Sequence, residues 1–206
     1  MSLRPTIGVL GSHPCTRYGL TMDNTPRATR AARTPRDEGK RHMIDAAIGL
    51  LRELPAEQIT TREVAERAGH HHRFVSAWFD GKVGLFQAAF DQLGAEIAST
   101  LVFPPQRDGL NPDVVMVVHL LNWLVANGSP SLVGPHSTPL IDRVQLIYSE
   151  QLGVDAASSR LFAQRIVASA ISMVLFAGAI GVDADDLPQH IEFEIHLAAL
   201  HRSNQG

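Results

Sequence analysis

His71, His72, Arg73 and Ser76 stand close together in the stretch HHHRFVSAWFDGK, residues 70–82, the densest group of side chains in the chain able to do chemistry. Three consecutive histidines first suggest a metal. Successive helical residues point about 100° apart, however, so His70, His71 and His72 cannot easily converge on one ion, and no metal is expected. An arginine among hydrogen-bonding neighbours has another use. Its guanidinium can donate two parallel bonds to a guanine edge in the major groove of duplex DNA. That use requires a short helix, exposed on one side and held by an apolar face on the other.

The flanking sequence predicts such a helix. Thr60-Thr61-Arg62-Glu63 has the T-x-x-E form of a capping box, in which hydroxyl and carboxylate satisfy the free N–H groups of a helix start. Val64, Ala65 and Ala68 then form a narrow apolar face, and Gly69 supplies the positive φ that ends the helix. A second apolar set at Val75, Trp78 and Phe79 follows the three-and-four spacing of a helix. His71, His72, Arg73, Phe74 and Ser76 are left outward. Two short helices joined at a glycine are the layout of a helix-turn-helix DNA reader.

The segment resembles the DNA-binding domain of the TetR family of bacterial transcriptional regulators over residues 36–85. The resemblance rests on Ile44-Asp45-Ala46-Ala47-Ile48-Gly49-Leu50-Leu51, on Thr60 with Thr61, on Val64-Ala65-Glu66-Arg67-Ala68-Gly69, and on Val75-Ser76-Ala77-Trp78-Phe79-Asp80-Gly81-Lys82. There are departures. Ser76 and Trp78 stand where the family usually has a phosphate-binding tyrosine and histidine; both can still donate a hydrogen bond. His70 replaces a small apolar residue, and His71 the usual N-cap serine. Phe74 takes a position where a polar base-reading residue is common, which leaves two roles open: apolar contact with thymine methyl groups, or burial in the domain core. The resemblance implies that Arg73 reads guanine with His72 and Phe74 beside it. It also implies that Thr60, Thr61, Ser76, Trp78 and Lys82 position phosphates, with Arg62 and Arg41 as further candidates.

Composition fits this reading. With 45% hydrophobic and 19% charged residues, the 206-residue chain has globular character. Net charge is only −3, but it is unevenly distributed: Arg4, Arg17, Arg27, Arg30 and Arg33 face only Asp23 before Arg36, whereas five arginines face twelve acids after Lys82. The arginine at every third position from Arg27 to Arg36 suggests a flexible basic arm, either tracking DNA phosphates or serving no role. The single Cys15 cannot form an intrachain disulfide, and residues 1–21 lack the apolar core of a secretory signal, so a cytoplasmic location is expected.

Three regions are therefore expected: an arm over 1–35, a three-helix reader over 36–82 and an all-helical bundle over 83–206. Leu85, Phe86, Ala89, Phe90, Leu93 and Ile97 define a helix linking reader to bundle. Residues 114–126 are apolar almost all round, which predicts a central helix, with His119 and Trp123 on one face. Helices are expected over 140–152, 156–178 and 188–202. The extensive apolar faces of the last two predict a homodimer interface, and the run 166–182 is read as such a helix rather than a membrane span.

A bundle with an apolar central helix suggests a pocket for a mostly apolar small-molecule effector, with an anionic or carbonyl group met by an arginine. His119, Trp123, Arg143, Tyr148, Phe162, Arg165, Met173 and Phe176 are its candidate lining. No nucleophile elbow, phosphate loop, dinucleotide fingerprint or zinc-protease motif occurs, so no enzyme and no cofactor are expected; the enzymatic alternative has only His119 or His136 as a base. The expected function is a dimeric repressor released from its DNA operator by effector, with a constitutive DNA binder as the alternative.

Overall fold

The capping box forms as the spacing requires. Thr60 Oγ1 accepts from the Glu63 N–H at 3.2 Å, and the Glu63 carboxylate accepts from the Thr60 N–H at 2.7 Å. These bonds belong to a computed structural model that describes residues 35–101, 111–129, 138–183 and 186–203. The expected basic arm and His136 lie outside the described residues. Among the described residues every regular element is helical, in agreement with the all-α reading.

Eight helices follow one another: α1 (Pro35–Leu51), α2 (Thr61–Arg67), α3 (Arg73–Phe79), α4 (Lys82–Thr100), α5 (Pro112–Ala126), α6 (Pro139–Leu146), α7 (Ala156–Ile180) and α8 (Leu187–Ser203). A π-helical turn, Ile147–Gln151, extends α6. Local chemistry explains several starts. Asn111 caps α5 by accepting from the Asp113 N–H, with Pro112 at the first helical position, where its missing donor costs nothing. Asp155 caps α7 by accepting from the Ala157 and Ser158 N–H groups. That helix ends at Gly181, whose φ is +69°.

The core spans α1 to α5. One buried cluster runs from Met43, Ala47 and Leu51 on α1 through Val64 and Val75 to Leu85, Phe86 and Leu93 on α4, and on to Leu120, Trp123 and Leu124 on α5. Fully burying a side chain of the size of Phe86 or Leu124 contributes about 1.5–3 kcal/mol each, so α4 and α5 help to stabilise the first three helices. Buried polar groups between α4 and the end of α5 are paired: Ser129 Oγ donates to Gln87 Oε1 at 2.7 Å, and Gln87 Nε2 donates to Asp91 Oδ1 at 2.9 Å. A second, smaller cluster joins the π turn, α7 and α8 through Tyr148, Val154 and Ala198, with Phe162 and Ile166 against it.

The expectation that α5 is surrounded on all sides is corrected. His119, Asn122 and Ala126 are exposed and Val125 is 63% exposed, while Val117, Leu120 and Leu124 are buried. Apolar sequence all round therefore yields a helix buried on one side only. On α7 the same excess is larger: by length and composition the helix could cross a membrane, yet few of its residues are buried within the chain.

Candidate nucleic-acid interface

The α2–α3 turn is built from backbone bonds. Gly69 takes a φ of +69°, as expected, and the N–H groups of Gly69 and His70 donate to the carbonyls of Glu66 and Ala65. His72 precedes α3 without a side-chain cap, but His71 Nδ1 accepts from the Arg73 N–H at 3.2 Å. An imidazole thus does the work that serine does at the corresponding position of the resembled family. The rings of His71 and His72 stack with centroids 4.4 Å apart, which places both at the mouth of the turn.

On α3, Val75 is fully buried and Phe74, Trp78 and Phe79 are half-buried, whereas His71, His72, Arg73, Ser76 and Ala77 are exposed. The outward face is thus the one expected, except at Phe74. Its ring stacks on Trp78 at 4.5 Å and, half-buried, packs against the core. The Arg73 guanidinium lies 5.1 Å above the Phe74 ring, so Phe74 acts as a platform under the arginine. Ala77 shares the exposed face with Arg73, one turn on; its methyl was not singled out from sequence because alanine carries no functional group.

Trp78 has a structural neighbourhood that the spacing did not reveal. Its ring meets His70 edge-on at 5.7 Å, and His70 stacks on His42 of α1 at 5.9 Å. A Cβ on Gly39 would come within 2.7 Å of the Trp78 ring, so α1 presents bare backbone where the indole lies. At the other end of α3, a Cβ on Gly84 would collide with the Phe79 carbonyl oxygen, so α4 passes directly against the end of α3. These two contacts fix the rotation of α3 and hence the direction of Arg73.

Thr60 and Arg62 are exposed and Thr61 half-buried at the start of α2. The Thr60 hydroxyl is committed to Glu63, donating to Oε2 at 2.7 Å, and this holds the Glu63 carboxyl below its ordinary pKa. Lys82, for which the resemblance implies a phosphate contact, is half-buried and engaged within the protein. Its Nζ donates to the Ala56 carbonyl at 2.7 Å and sits 5.2 and 5.1 Å from the Phe86 and Trp123 rings. Burial lowers its pKa, with Glu57 and Glu63 opposing. The ammonium points into the seam between reader, α4 and α5, not outward with Arg73.

The eight candidate pocket residues lie in differing surroundings among the described residues. Trp123 is buried against Phe86 at 5.1 Å in the first cluster, while His119, four residues earlier, is exposed. Arg143 donates to the Leu101 carbonyl at 3.3 Å. Phe176 is 54% exposed, whereas Met173, three residues earlier on α7, is buried. Only Tyr148, Phe162 and Arg165 remain near one another: the first two rings stack at 5.4 Å, and the charge of Arg165 acts on the Tyr148 phenol. Arg165 Nε donates to Glu194 Oε1 at 3.0 Å, which balances its charge. Among the described residues no cluster of histidine, cysteine or acidic side chains is arranged to hold a metal.

No family model and no curated protein matches the chain. Among solved structures, the chain is similar to the TetR family repressor AlkX from Dietzia sp. strain DQ12-45-1b, implicated in biodegradation of n-alkanes. The identity is 21% over 80% of this chain and 95% of that one, with a TM-score of 0.47. It is also similar to a TetR-family transcriptional regulator from Streptomyces coelicolor, at 20% identity over 80% of this chain and 83% of that one, with a TM-score of 0.48.

Proposed function

We propose that the chain is a TetR-like transcriptional regulator that binds duplex DNA as a homodimer, with α3 of each copy in a major groove. The observation that carries this reading is the sidedness of α3: Val75 is buried and Trp78 is wedged over Gly39, while Arg73, Ser76 and Ala77 are exposed together. A helix held this firmly on one face and lined with donors on the other fits insertion into a groove. Arg73 reads guanine, and Ser76, Thr61 and Arg62 meet the backbone. Selection on random duplex DNA tests the reading: recovery of a two-fold symmetric site supports it, and unenriched sequence overturns it.

Dimerisation has its own support. Leu161, Arg165, Ala168, Ser172, Phe176 and Ala179 form one exposed stripe along α7, with Leu161 at 67% and Phe176 at 54%, and Phe193 on α8 is 59% exposed. Leu161 and Phe176 flank the small Ala168 and Ser172, so this part of the stripe is self-complementary about a two-fold axis near Ala168. Two heads then add their affinities on a palindromic site. Effector control belongs to the same proposal: a small molecule that binds the α6–α8 side differently in two head arrangements shifts the equilibrium between them, and release from the operator makes the protein a repressor. A cytoplasmic location follows from that role.

A further inference from the structure

Three buried side-chain atoms among the described residues find no hydrogen-bond partner in the protein: His70 Nε2, Tyr148 Oη and Glu194 Oε2. A buried polar atom left without a partner costs about 1–3 kcal/mol, so a pair of them in one place calls for a reason. His70 is isolated in the bracket of Trp78, Phe74 and His42. Tyr148 and Glu194 belong together: Glu194 acts electrostatically on the Tyr148 phenol, and Ala198, one helical turn beyond Glu194, packs on Tyr148. Tyr148 is 2% exposed and Glu194 7%. Tyr148 also lies in the π-helical turn, a backbone irregularity found mostly where it serves a site.

We propose that Tyr148 and Glu194 recognise an uncharged ligand head carrying one hydrogen-bond donor beside one acceptor, as in a primary carboxamide, with its apolar body against Phe162 and Ile166. This deepens the effector part of the reading above and rests on it for its regulatory meaning, though binding itself does not. The charge count sets the class. Arg165 Nε already donates to Glu194 Oε1 at 3.0 Å, so carboxylate and guanidinium balance. An anionic head would meet Glu194, and a cationic one would meet Arg165; a neutral head meets neither penalty. Oε2 of the carboxylate accepts the amide N–H, and the phenol donates to the amide carbonyl. The stacked Tyr148 and Phe162 rings, with Ile166, supply the apolar wall.

The test uses the full chain and four probes of equal length: hexanamide, 1-hexanol, hexanoate and hexylammonium. Calorimetric titration is paired with NMR of the tyrosine ring resonances. Hexanamide binds saturably and shifts the Tyr148 resonances, while hexanoate and hexylammonium bind at least about tenfold more weakly, the worth of one buried hydrogen bond. Glu194→Gln turns the acceptor into a donor, and Tyr148→Phe removes the phenol; each weakens hexanamide by a similar factor. Tyr148→Phe keeps the ring stack, so it serves should Glu194→Gln fail to fold. Equal binding of all four probes, no binding of hexanamide, or binding indifferent to both variants overturns the proposal and leaves a water-bridged core pair. DNA selection on the ligand-free protein separates the two readings: a symmetric site recovered without amide binding sinks this inference alone.

Discussion

Arg52 and Asp113 are joined by two parallel hydrogen bonds of 3.0 Å, Nε to Oδ1 and Nη2 to Oδ2, which tie the turn after α1 to the first turn of α5. The bond to Asp113 raises the Arg52 pKa. Because the two side chains are 50% and 35% exposed, water screens much of the attraction, and the pair is worth about 0.5–1 kcal/mol. A double-mutant cycle with Arg52→Ala and Asp113→Ala, read by urea unfolding, should return a coupling of that size. A coupling of zero would mean that the fork does not hold reader and α5 together.

Lys82 tests whether position in a motif fixes the job of a side chain. Its ammonium is hydrogen-bonded to the Ala56 carbonyl beneath α4, so Lys82→Met should lower stability by about 1 kcal/mol through the lost bond. The dependence of DNA affinity on salt should stay unchanged. A flatter salt slope in the variant would restore the phosphate role.

The contrast shows what the sequence could and could not disclose. The capping box, the turn at Gly69 and the buried side of α3 were legible because each follows from local periodicity or from a backbone need within a few residues. The helices expected over 156–178 and 188–202 appear as α7 and α8 for the same reason. Lys82 was not legible, because a flexible four-carbon stem reaches either way and only Ala56, Phe86 and Trp123 decide the direction. Likewise Arg52–Asp113 joins residues 61 apart, and the neighbours of Gly39 and Gly84 depend on how helices cross.

Arg73 should carry base preference. With its guanidinium poised over Phe74, Arg73→Ala is expected to cost about 1–3 kcal/mol on the selected site and to relax preference at one position per half-site. Phe74→Ala should give a weaker version of the same loss by removing the platform. Uniform weakening on all sequences would reassign Arg73 to phosphate.

Acid should loosen the start of α2. The Thr60 hydroxyl, and then the Thr60 N–H, hold the Glu63 carboxyl below its ordinary value, and Arg67 does the same for Glu53. A carboxyl depressed in the folded state stabilises the protein above its unfolded pKa of about 4.3, and the contribution disappears as pH falls through the lower folded value. Melting temperature should therefore drop below about pH 4.3. The drop should be shallower in Glu63→Gln, which has no such carboxyl to protonate, whereas parallel curves would show that the box carries no pH-linked stability. Thr60→Ala should cost about 1 kcal/mol at neutral pH through the lost N-cap.

The stripe on α7 gives a geometric test of the dimer. If two copies cross antiparallel near Ala168, Leu161 of one faces Phe176 of the other, while Ala168 and Ser172 allow the backbones to approach. A cysteine at the crossing then meets its own copy within the 4.4–6.8 Å Cα separation that a disulfide spans, about the closest approach two helices make. In a Cys15→Ser background, Ala168→Cys should cross-link rapidly under mild oxidation, whereas Glu57→Cys, exposed in the reader, should not. Phe176→Glu should abolish the cross-link by placing a charge in the apolar contact, and should shift the protein to monomer in sedimentation at micromolar concentration. A monomer from the unaltered chain under those conditions would leave the stripe without a second copy to cover it. It would also leave each reading helix to bind a half-site alone, without the gain that two linked heads provide.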